Sequence, residues 1–149
     1  MTRSKIIFVA LLILWPLHAL AGPADASAVI DRWAAALSAN DADALMKLYT
    51  PNALVYGITS FKLVARTEAI REYFKTAPES GKKIAISERH MIVLADAAVM
   101  GVGIYRFDLI QNGVQVPRSA RFTFVLVKRG ADWLIAHHHS SALPPAPYQ

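Results

Sequence analysis

Trp133-Leu134-Ile135-Ala136-His137-His138-His139-Ser140-Ser141 opens apolar and passes into three consecutive histidines. Side chains alternate along a strand, so Trp133, Ile135, His137 and His139 are expected on one face and Leu134, Ala136, His138 and Ser140 on the other. One strand then runs from core into a polar site. A two-residue turn at Gly130-Ala131 would pair Arg129 with Asp132, which sets Leu126 opposite Ile135, Phe124 opposite His137 and Phe122 opposite His139.

Working backward, everything after Gly81 reads as strand. Ile84 to Val93, Ala97 to Ile110, Val114 to Val127 and Trp133 to Ser141 are rich in β-branched and aromatic residues, with turn signals at Asp96, Asn112-Gly113 and Gly130. Asn-Gly favours a two-residue hairpin turn. It pairs Gln111 with Val114, Tyr105 with Ala120 and Phe107 with Arg118, and sets Asp108 opposite Pro117, away from Tyr105. Pro117 then requires an outward-facing position or a bulge.

The first half reads as helix. Asp25 or Ser27 can cap a segment in which Val29, Ile30, Trp33, Ala36 and Leu37 recur at helical spacing, ending near Ala39. Asn40-Asp41 starts a second, Ala42 to Tyr49, stopped by Thr50-Pro51-Asn52. Leu54-Val55-Tyr56 is a short strand. Thr67 caps a third helix, Glu68 to Lys75, with Ile70, Tyr73 and Phe74 inward and Pro78 and Gly81 beyond its end. Helices followed by a long antiparallel sheet give an α+β domain with helices over one face. The aromatic face, with Tyr105, Phe107, Phe122 and Phe124, goes under the helices because burying it stabilises most. The reverse face carries Arg121, Thr123, Val125, Val127 and Leu134, too apolar to leave wet, so a second subunit is expected to cover it.

The chain's start sets the expected compartment. Arg3 and Lys5 precede the apolar run Ile6 to Trp15, and Ala19-Leu20-Ala21 has the small-x-small form of a cleavage site. The run is shorter than the roughly 20 residues of a membrane span. Residues 1–21 therefore read as a secretory signal, with an uncleaved anchor as the alternative, and the product as periplasmic or secreted. Residues 22–143 form one domain and 144–149, Pro-Pro-Ala-Pro-Tyr-Gln, a loose tail. The charge of +5 falls to +3 without Arg3 and Lys5, and the basic residues are scattered, which argues against nucleic acid as a partner. With no cysteine, stability rests on packing or oligomerisation.

Trp33, Leu48-Tyr49, Arg66-Thr67-Glu68-Ala69-Ile70-Arg71-Glu72-Tyr73-Phe74 and Ala120-Arg121-Phe122-Thr123-Phe124, together with Trp133 to Ser141, resemble the nuclear-transport-factor-2-like superfamily. Within it they are most similar to the bacterial SnoaL-like or SgcJ/EcaC-like group related to the calcium/calmodulin-dependent protein kinase II association domain. The resemblance implies a cone-shaped domain, three N-terminal helices on a curved antiparallel or mixed sheet around a deep pocket, assembled into dimers or larger rings. Members include isomerases, dehydratases, cyclases and assembly modules. The kinase itself is absent: there is no Gly-rich phosphate loop and no H-R-D catalytic loop.

Five residues are candidates for the pocket: Tyr56, Arg66, Tyr105, His137 and His139. Histidine moves protons near neutral pH and arginine favours a carboxylate or phosphate, so the set suits a small polar or acidic ligand. His137 and His139 are also the candidate catalytic acid/base groups. His-x-His with His90 could chelate a metal, but no carboxylate stands at ligand spacing, so neither metal nor cofactor is expected. The expected function is an exported homo-oligomer that binds a small ligand. Alternatives are a cofactor-independent isomerase, dehydratase or cyclase, and a purely structural oligomerisation module.

Overall fold

A computed structural model describes residues 22–77 and 82–144; the proposed signal, Pro78 and Gly81, and all of the proline-rich tail except Pro144 lie outside them. Helix α1 (Pro23–Ser38) starts with proline in its first turn, and Asp25, not a cap itself, accepts from the Gly22 N–H at 2.7 Å. Its inward stripe, Ala26, Val29, Ile30, Trp33 and Leu37, is fully buried. At its far end the Ser38 hydroxyl donates to the Ala34 carbonyl and accepts from the Ile84 N–H, tying the helix to the sheet.

Helix α2 (Ala42–Met46), capped by the Asp41 side chain, is shorter than the expected Ala42 to Tyr49. The reason is tertiary. Tyr49 begins strand β1 (Tyr49–Tyr56), because the Leu48 carbonyl accepts from the Ile135 N–H at 2.7 Å and Tyr49 pairs with Ile135. A short β2 (Val64–Ala65) pairs with β1, and α3 (Thr67–Thr76) follows. Thr67 is the first residue of α3 and not its cap. Arg66 holds the cap position at φ 73°, a backbone region unusual for a residue with a Cβ, and caps nothing with its side chain. An Arg71–Asp43 ion pair joins α3 to α2.

Strands β3 (Ala85–Ala95), β4 (Ala98–Gln111), β5 (Val114–Arg129) and β6 (Asp132–Ala142) complete one mixed sheet in the order β2-β1-β6-β5-β4-β3, with β1 and β6 parallel. Asn112 and Gly113 both have positive φ, as a type I′ turn requires, and the β4–β5 register is the expected one. Arg129 and Leu126 also pair as expected with Asp132 and Ile135. Beyond Ile135 the register shifts. Ala136 is an extra residue, and from there Val125 pairs with His137, Phe124 with His138 and Phe122 with Ser140. This β-bulge reverses the expected facing of the histidines: Trp133 and Ile135 look inward, but so do His138 and Ser140, while His137 and His139 look outward.

Candidate functional site

Beneath α1, His138 is enclosed by rings. Phe124 lies 4.4 Å away by centroids, Trp33 5.2 Å edge-on, and Phe74 is stacked at 6.0 Å. Its position follows from three elements: β6 presents it, β5 supplies Phe124 as its cross-strand neighbour, and the amphipathic faces of α1 and α3 supply Trp33 and Phe74. Burial drives its pKa down to about 3, with the neighbouring His137 and His139 adding to the effect, so the ring is neutral. A neutral imidazole carries one N–H and one lone pair. The Tyr49 hydroxyl meets Nδ1 at 2.9 Å and the Ser140 hydroxyl meets Nε2 at 2.7 Å, so both nitrogens are satisfied. Tyr49 and Ser140 were not among the sequence candidates; the signal that could have found Ser140 is its i+2 spacing from a histidine, readable only once the facing of the strand is known.

The five sequence candidates do not form one site. Tyr105 is fully buried on the inner face, 5.4 Å from Trp33 and 5.7 Å from Phe107. His137, His139 and Tyr56 share the outer face, in register through the parallel β1–β6 pair. Arg66 is exposed and lines a separate surface cleft of about 570 Å³ with Lys62, Glu72 and Tyr73. The expectation of one pocket shared by Tyr105 and the odd-numbered histidines is therefore corrected: Tyr105 is packed among buried aromatic side chains on the inner face, and His137 and His139 lie on the outer one. Nor can His90 join His137 and His139 around a metal, because three strand spacings, roughly 14 Å, separate β3 from β6. Asp108 accepts from the Gln115 amide and takes no part in the interior.

The outer face is built in rows across the strands. One row is Leu54, His137, Val125, Met100 and Ile92; the next is Tyr56, His139, Thr123, Val102 and His90; a third holds Ser141, Arg121, Ile104 and Glu88. Leu54, Tyr56 and Ile92 are each more than two-fifths exposed (42%, 44% and 45%). Beside them the Gly57–Ser60 turn, closed by hydrogen bonds between Gly57 and the Ser60 side chain and backbone, precedes Phe61, which stands wholly in solvent. Ionisable groups are few within these rows. Arg121, the three histidines and Glu88, which meets His90 at 3.1 Å, are the nitrogen and carboxyl groups there.

Residues 26–147 match the SnoaL-like domain family. Among solved structures, a protein from Xanthomonas campestris described as a calcium/calmodulin-dependent protein kinase II association domain is 35% identical, covering 80% of this chain and 86% of its own, with a TM-score of 0.73. A ketosteroid isomerase-like protein from Erwinia carotovora atroseptica is 17% identical over 82% of this chain and 96% of its own, TM-score 0.74. The kinase II hub homology domain of Chlamydamonas reinhardtii is 19% identical over 81% and 98%, TM-score 0.66. The last two share the fold. No curated protein matches the chain.

Proposed function

Because the chain belongs to the SnoaL-like group of the nuclear-transport-factor-2-like superfamily, we propose that it is an exported domain that works by self-association, two copies docking through the outer faces of their sheets. The observation that carries this reading is the row Leu54, His137, Val125, Met100, Ile92, an apolar band across five strands with only one ionisable member. A band of that kind gains by leaving water, and a second copy offers a self-complementary surface. The description of the Xanthomonas relative as an association domain supports the same choice. Export rests on the reading of residues 1–21.

A catalytic role for the histidines has little support. His138 is neutral, enclosed and doubly hydrogen-bonded, while His137 and His139 face away from Tyr105. Binding of a small polar ligand is left to the Arg66 cleft.

Light scattering on the purified protein tests the reading. A mass of two or more protomers is expected, and Val125→Asp, which puts a charge into the middle of the band, is expected to give a monomer of native circular dichroism. A wild-type protein that is monomeric at high concentration, or a Val125→Asp variant of unchanged mass, overturns it.

A further inference from the structure

Resting on the reading of the outer face as a self-docking surface, the geometry points to an association gated by protons: His137 and His139 must both be neutral for two copies to close, so acidification separates them. The bulge at Ala136 is what places the two imidazoles there, side by side along β6 and each one residue-pair from the hydrophobic Leu54 and Tyr56 of β1. In an isologous contact both copies use the same patch, so each histidine enters the interface twice and the only acids a partner can bring are those of this same face.

The surroundings offer a proton no compensation. On β1 the flanking groups are Leu54 and the Tyr56 phenol; on β5 they are Val125, Thr123 and the cationic Arg121. On β4 the row neighbours are Met100, Val102 and Ile104, with Arg106 further along. Glu88 on β3 is already engaged by His90 and lies roughly 14 Å away, three strand spacings from β6. The remaining outward carboxylates stand at the sheet's ends: Asp108 bonds to Gln115, and Asp132 sits across from Arg129 at the β5–β6 turn. The short β2 adds Val64 and Ala65 only. A protonated His139 would thus be taken out of water diagonally across from Arg121, and a protonated His137 between Leu54 and Val125, with no adjacent acid to receive either proton.

Each imidazole that must be neutral on docking weakens docking as the pH falls, and the two-fold contact contains it twice. Sedimentation equilibrium at pH 7.5 and pH 5.0, with near-ultraviolet circular dichroism as the check on folding, reads the effect. The wild-type dissociation constant is expected to rise at least about tenfold at pH 5.0 while the aromatic signal persists. In a His137→Gln, His139→Gln variant the ratio between the two pH values is expected to fall to within about threefold, whatever its affinity at pH 7.5; each single variant should retain part of the response.

A wild-type assembly of equal strength at both pH values overturns the gate and leaves the docking face standing. So does a full pH response in the double variant, which would assign it to His90. Dissociation accompanied by loss of the aromatic signal in wild type and double variant alike also overturns it, as unfolding. A protein monomeric under all conditions removes gate and docking face together.

Discussion

His138 is the residue on which the interior turns. It gives Tyr49 and Ser140 a partner inside an aromatic cage, at the cost of keeping an imidazole uncharged. Replacing it with alanine removes two hydrogen bonds and opens a cavity; a loss of roughly 3 kcal/mol in urea unfolding is expected. Its titration predicts acid sensitivity. The folded-state pKa, about 3, lies below the unfolded value of 6.5, so between these limits only the unfolded chain takes the proton. The stabilisation is complete above pH 6.5 and declines as pH falls, at up to about 1.4 kcal/mol per pH unit. Urea midpoints from pH 7 to pH 4 should show this slope in the wild type and a flatter one in His138→Phe, which fits the cage without a titrating nitrogen.

At the level of strands and helices, closeness of backbone decides what is tolerated. A Cβ on Gly103 would stand 2.0 Å from the Glu88 carbonyl oxygen and 2.8 Å from the Phe122 ring, where β3 bulges past β4. Gly103→Ala is therefore expected to lower stability by about 2 kcal/mol or more, measured by thermal unfolding. The same elements show what a sequence discloses. Asn112-Gly113 announces its turn because two consecutive positive φ values demand such residues, and the whole β4–β5 register follows from it. Ala136 announces nothing. Alanine is compatible with a regular ladder, and the alternation Trp133, Ile135, His137, His139 satisfies the period of two as well as the bulged arrangement does, so the sequence alone puts His137 and His139 on the inner face. Tyr49 was lost to α2 for a related reason: its helical spacing is genuine, and only pairing with β6, far along the chain, draws it into a strand.

For the whole molecule, two surfaces of one sheet have divided the work. The inner surface is closed by α1, α2 and α3 around Trp33, Tyr105, Phe124 and His138, and the outer one retains the apolar rows. The expectation of an α+β domain with helices on the aromatic face holds because that face gains most from burial. On the proposed reading, Val125→Asp is expected to weaken assembly at every pH and His137→Gln to alter only its pH dependence. Neither should change the protomer's unfolding free energy in urea by more than about 1 kcal/mol, since both side chains lie outside the interior.

The parallel pairing of β1 with β6 joins Tyr49 to Ile135, partners 135 − 49 = 86 residues apart. The chain therefore has to be present through β6 before β1 acquires its inner neighbour, a distant pairing that no shorter fragment can supply. A stop codon at Ala131 should yield a product digested by trypsin as quickly as a denatured chain, with no residual folded fragment.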